Sequence, residues 1–204
     1  FLLFFMSAML ATVLADDLFL LFCSWELTGV ASFLLIGFFA GESQAAAYGA
    51  RRALLVTLGT GLGMLTAILL IKTQLDQTRI SVLMGQVASL QALPHVSWLL
   101  GLLLLAAFGK SAQVPFHFWL PGAMEAPTPV SAYLHSATLV KLGVFLVGRL
   151  YPLFSTVDGW TQTLCLIGAL SFFVGALGAF RRDDLKAVLA YTTLAQLGAI
   201  FLWY

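Results

Sequence analysis

Charge is what this sequence has least of. Ten Lys+Arg and nine Asp+Glu among 204 residues make it 9% charged, where soluble domains carry about 25%. Such a chain cannot clothe a water-facing surface, so a soluble globular domain is excluded. Cysteine is nearly absent as well. Cys23 and Cys165 lie in apolar stretches without a CxxC partner, which excludes a disulfide framework and signals neither a metal nor an iron–sulfur site. There is no basic patch. The basic residues stand at segment ends or singly, and a net charge of +1 gives no reason to expect a nucleic-acid partner. No basic stretch precedes Phe1, so the first apolar run reads as a membrane span rather than a cleavable signal. A chain with no starting Met that stops inside an apolar run at Tyr204 reads as a fragment.

What the sequence has in quantity is apolar surface: 61% hydrophobic residues and a mean hydropathy of +0.99. A bilayer core of about 30 Å takes roughly 20 apolar residues as a helix. Cutting where charge, Pro and Gly cluster leaves seven segments, approximately 1–15, 18–40, 53–71, 97–120, 128–150, 160–180 and 186–204. They are continuously apolar rather than alternating, which indicates helices and not barrel strands. The expected fold is all-α, a polytopic bundle of about seven helices in one membrane domain, 1–204. The one long connection expected is 72–96; the other loops are short enough to make neighbouring helices antiparallel. Arg51, Arg52, Arg181, Arg182 and Lys186 fall on one side and Lys72, Arg79 and Arg149 on the other, which puts the first side in the cytoplasm.

Against this background a few polar residues stand out. Glu26 lies about eight residues inside its span, in FLLFCSWELTGVASFLLIGFF, and Lys110 lies near the middle of WLLGLLLLAAFGKSAQVPFHFWL. Lys141 is mid-span in AYLHSATLVKLGVFLVGRL, the segment that also holds His135. A central charge costs between about 2.5 and 17 kcal/mol, so each such group is expected to face the bundle interior with a partner. One alternative is that Glu26 and Lys110 simply pin two helices together. Three charged positions in separate segments, with a histidine besides, form a series of titratable groups that pinning does not require. Desolvation disfavours an ammonium and a nearby carboxylate restores it, so a lysine whose carboxylate partner approaches and leaves is able to load and release a proton. Six residues separate His135 from Lys141, about 600° of helix, so the two point to different sides at similar depth.

The Lys110 segment also contains Pro115, whose missing N–H and ring break a helix. Freed backbone groups at that depth are tolerated only against protein or a water-filled cavity, and in transporters they mark ion sites. Pro121, Pro127 and Pro129 make LPGAMEAPTPVSAYLH a rigid re-entry loop, with Glu125 at the interface. His117, among Phe116, Phe118 and Trp119, is a candidate behind the four above and is equally well read as an interfacial anchor. Lys186, in the solvated turn FRRDDLKAV where Asp183 and Asp184 suit a helix start, is a further such candidate.

The strings WELTGVASFLLIGFF, YGARRALLVT, FGKSAQVPFHFWLPGAMEAPTPVSAYLHSATLVK and RRDDLKAVLAYTTLAQLG together resemble the antiporter-like membrane subunits shared by Mrp-type sodium/proton antiporters and respiratory complex I. The resemblance spans almost the whole chain, and PGAMEAPTPVSAYLHSAT with Lys141 is most similar to the Mrp large subunit. It implies that Glu26 and Lys110 are the key pair and that His135 and Lys141 continue a proton route. It also implies two inverted five-helix repeats, each with a broken helix: 1–150 as the first repeat and 160–204 as the first two helices of the second. Gly29 stands where Ser is common, a departure that touches no charge.

The expected function is therefore a subunit of a hetero-oligomeric cation/proton antiporter of a bacterial plasma membrane. Other membrane subunits are its partners, and protons and sodium or another monovalent cation are its substrates. It would be a transporter subunit rather than an enzyme, with no cofactor and no metal. The alternative is a proton-pumping membrane subunit of NADH–quinone oxidoreductase, in which the chain would still carry no redox group. A bare structural scaffold gives no reason to keep several buried charges.

Overall fold

The computed structural model describes residues 1–204, the side chains of Ser136 and Ala137 excepted. Eleven α-helices follow one another: α1 (Leu2–Leu14), α2 (Leu18–Ile36), α3 (Gln44–Leu75), α4 (Ile80–Met84), α5 (Val87–Gln91), α6 (Val96–Lys110), α7 (Trp119–Gly122), α8 (Thr128–Ala132), α9 (Leu142–Phe154), α10 (Trp160–Phe180) and α11 (Leu185–Phe201). Among the described residues the only β pairing is an isolated antiparallel bridge between Asp17 and Arg79. Among the described residues four apolar stretches are long enough to cross a membrane: 18–39, 44–75, 128–154 and 160–180. Three shorter apolar helices, α1, α6 and α11, accompany them. These are the seven segments read from the sequence, and the chain is a membrane protein.

The bundle grows by neighbours. α1 packs on α2, α2 on α3, α3 on α6 and α6 on α9, while α10 and α11 form a hairpin. That hairpin closes through glycine. A Cβ at Gly198 would meet the Gly168 carbonyl and the Phe172 N–H of α10, so the two backbones touch as small residues allow in membrane helices.

Three boundaries differ from expectation. α3 begins at Gln44, not near 53, because the arginines that look like a loop ride on its first turns. Ser43 caps it by accepting from Ala46 N at 3.3 Å, and the Arg52 guanidinium lies 4.3 Å from the Tyr48 ring centroid one turn back. At 32 residues α3 is about 48 Å long, more than a 30 Å core takes up, which leaves room for the turns carrying Arg51 and Arg52 outside it. The 72–96 connection is not bare loop: α4 and α5 sit in it, burying Ile80, Leu83 and Leu90. The segment expected at 97–120 stops being a helix at Lys110, five residues before Pro115.

The α1–α2 turn and the start of α4 are clasped together. Asp17 Oδ1 caps α2, accepting from Phe19 N (2.8 Å) and Leu20 N (3.2 Å), and its Oδ2 accepts from the Thr78 hydroxyl. Asp16 accepts from Ser81 N at 3.0 Å and Ser81 Oγ at 2.6 Å, and Arg149 of α9 lies 3.9 Å away. The Ser81 hydroxyl, first, holds the Asp16 carboxyl below the usual carboxylate range; burial opposes it, and the Ser81 N–H and Arg149 assist. A lowered folded-state value means stability that is complete above the unfolded carboxyl value of about 4 and lost as pH falls through the folded value. The melting temperature of an Asp16→Asn full-length protein is therefore expected to lie below the parent's at pH 7, with the gap closing below about pH 4. An equal gap at both pH values would show that the ionised clasp is not what the substitution removes.

Candidate functional site

α6 ends on its own charge. Lys110 is its last residue and is completely buried; beyond it the chain turns through Ala112 at φ 51°. Side chains and backbone of other elements take up the freed groups. Ser111 Oγ donates to Val140 O at 2.6 Å, Ser171 Oγ of α10 accepts from Val114 N at 2.9 Å, and Trp119 Nε1 donates to Gly109 O at 3.0 Å. The broken helix expected around Pro115 is present, satisfied by protein as a membrane interior requires.

A second break was not expected. The segment 128–150 reads as one span, yet α8 gives way to a wide π-type turn over Tyr133–Ala137 and a 3₁₀ turn over Leu139–Lys141 before α9 begins. Its causes are tertiary and local together. The Thr138 hydroxyl donates five residues back, to Tyr133 O, at 2.7 Å, and the Val140 carbonyl is held by Ser111. Two interrupted helices are thus tied to each other at their interruptions.

Lys110 Nζ reaches across to α2, donating to Trp25 O at 2.8 Å and lying 5.2 Å from the Trp25 ring centroid. That carbonyl also accepts from Thr28 Oγ1 at 2.6 Å. Glu26, the next residue, does not bond to it: among the described residues no carboxylate lies within 4.0 Å of Lys110. The two expected partners are neighbours but are disengaged. The Glu26 carboxylate rests instead against α3, where a Cβ at Gly61 would fall on Oε1. Thr57 and Thr60, on the same helix as Gly61, spend their hydroxyl protons on that helix, on Ala53 O at 2.9 Å and Val56 O at 2.8 Å. Both Glu26 oxygens are left buried without a donor.

His135 is buried beside Trp119, ring centroids 6.2 Å apart, with the Ala123 backbone beside its ring but outside good hydrogen-bond geometry. It lines a cavity of about 210 Å³ with Met124, Thr128, Ser131, Lys186 and Thr193. Lys186 is therefore not merely a solvated turn residue. Its ammonium turns inward, donating to Met124 O and Ala126 O, both at 3.2 Å, and the cavity joins it to His135. Lys141 is exposed at the junction into α9, and among the described residues it makes no ion pair with another candidate. His117 is half-buried and faces a different cleft, with Arg181, Arg182 and Tyr191. The roles of Trp25, Gly61 and Ser111 had no signal in the sequence beyond lying beside a buried charge or on the opposite helix. Among the described residues no three His, Cys, Asp or Glu side chains come together as a metal would need.

Residues 15–204 match the family described as NADH:quinone oxidoreductase/Mrp antiporter, TM. The chain belongs to this family. It is 46% identical over 200 residues to a protein named Na(+)/H(+) antiporter subunit A1 from Staphylococcus epidermidis and 48% identical to that of Staphylococcus haemolyticus. In each case 98% of this chain and 25% of the relative is covered, so the chain spans a quarter of the length of these antiporter subunits. Among solved structures, the Mrp complex of a Dietzia species superposes with a TM-score of 0.91 at 42% identity, over 98% of this chain and 22% of that one. An archaeal membrane-bound sulfane sulfur reductase shares the fold, with a TM-score of 0.82 at 23% identity over 98% of this chain and 41% of that one.

Proposed function

We propose that this chain is part of the large subunit of a multi-subunit monovalent cation/proton antiporter in a bacterial plasma membrane, and that it carries one proton half-path. Residues 1–150 form the first inverted repeat in this reading, and 160–204 open the second. The route runs from Glu26 to Lys110, then across the paired helix breaks to His135. From there it continues either to Lys141 or, through the shared cavity, to Lys186.

One observation carries the reading. Ionisable groups buried at membrane depth are costly and mark transfer paths, and here the Glu26 carboxylate oxygens and His135 are buried, His135 within the second of the two tied helix breaks. Lys110 complements them: it holds its ammonium on a neutral carbonyl while its natural counter-ion waits nearby. Bringing Glu26 up favours the charged lysine and moving it away favours the neutral one. The chain's own part in transport is thus proton handling, and it calls for no bound cofactor.

The names of the relatives support sodium as the exchanged ion. In vesicles holding the complete complex, a sodium gradient imposed without NADH is expected to change the internal pH. Proton movement that instead requires NADH and quinone, with no response to sodium, would transfer the chain to a redox-driven pump.

A further inference from the structure

We propose that the cleft where α10 ends binds the phosphate of an anionic phospholipid. The cleft has a volume of about 510 Å³ and a mixed lining: Val174 and Leu177 of α10 together with His117, Arg181, Arg182 and Tyr191. That volume is within the range of small-molecule sites, about 300–1,000 Å³. Arg182 is oriented rather than loose. Its Nη2 donates to Tyr191 Oη at 3.2 Å, and its guanidinium lies 5.2 Å from the ring centroid.

Nearby acids do not neutralise the arginines. Asp184 turns its carboxylate to cap α11 at Ala187 N, 2.9 Å. Neither it nor Asp183 lies within 4.0 Å of a guanidinium among the described residues. Lys186 is directed away, to the carbonyls of Met124 and Ala126. Two planar forks are therefore left for an anion, and guanidinium pairs well with phosphate.

The apolar side names the kind of phosphate. Within this quarter of the subunit Phe173, Leu177 and Phe180 are 63%, 59% and 92% exposed; spaced four and three residues apart, they make one face of α10 running from the cleft into the span. A soluble anion has no use for that face, whereas an acyl chain lies along it. The arginines follow directly on the last turn of a membrane-crossing helix, at the depth of headgroups. Basic pockets between transmembrane helices on the cytoplasmic side are established headgroup sites, each basic residue contributing about as much as one tenfold step in affinity or slightly less.

The test uses the full-length subunit in its complete complex, held in nanodiscs of phosphatidylcholine with or without phosphatidylglycerol. Native mass spectrometry is expected to find one more phosphatidylglycerol retained by the parent than by an R181Q/R182Q variant, with affinity lowered about thirtyfold. Equal retention overturns the proposal. So does displacement of the retained lipid by inorganic phosphate alone, which would make the cleft a soluble-anion site. Should the double variant fail to assemble, a photo-crosslinking residue at position 177 decides: capture of phospholipid supports the site, and capture of protein shows that another segment or subunit covers this face.

Discussion

Replacing Lys110 with arginine is expected to leave the complex assembled and to lower cation/proton exchange by on the order of a hundredfold, the loss seen when a proton-transferring side chain is removed. Arginine keeps a positive charge for Glu26 to face and a donor for the Trp25 carbonyl, which Lys110 engages at 2.8 Å. It does not release its proton at any pH a cell reaches. The substitution therefore separates electrostatic pinning from proton carriage. If Lys110 only pins α6 to α2, arginine serves equally and dye-reported pH changes in vesicles proceed at the parent rate. That result would sink the relay. Failure to assemble would point to bulk, since a Cβ at Gly29 already lies only 3.2 Å from the ammonium. Lys110→Met then provides the comparison: it lacks the guanidinium's bulk and is expected to assemble without exchanging.

The charges that make up this site were legible because the bilayer makes them conspicuous. Glu26 and Lys110 stand out in apolar runs, and the cost of placing them there is an argument available before any coordinates. What they touch was not legible. Sequence pairs a buried Glu with a buried Lys, but the fold gives Lys110 a backbone carbonyl and leaves Glu26 on a glycine, because helix register and not charge decides which atoms meet. Pro115 announced a break, yet α6 ends at Lys110, where Ser111 and Ala112 adopt the turn. The break beyond His135 carries no Pro or Gly; it depends on a serine 29 residues earlier in the chain. Arg51 and Arg52 look like loop in the sequence because charge marks the edge of the hydrocarbon, whereas a helix continues past that edge at no penalty. The sequence neighbours of Lys186, Asp183 and Asp184, suggest a solvated turn, and the cavity it shares with His135 exists only in three dimensions.

A methyl group at Gly61 is expected to slow exchange about tenfold and to shift its pH profile, the loss of roughly one decade in rate. The Glu26 carboxylate occupies the space that a Cβ at 61 would fill, so Gly61→Ala drives it off its resting place between α2 and α3. The carboxylate is the far end of a flexible side chain and can move. The substitution therefore changes where the charge sits relative to Lys110 more than it changes helix packing. Gly59→Ala, on the same helix with nothing within 4 Å of its Cβ, is the control and is expected to match the parent. Two further results separate position from packing. Glu26→Asp withdraws the carboxylate by one methylene, so the Glu26→Asp/Gly61→Ala double variant is expected to recover part of what Gly61→Ala loses, a coupling that independent sites would not show. If the two losses simply add, or if Gly61→Ala exchanges at the parent rate with the parent pH profile, the glycine does not position the carboxylate. The disengaged arrangement of Glu26 and Lys110 would then be an incidental geometry rather than one station of a proton relay.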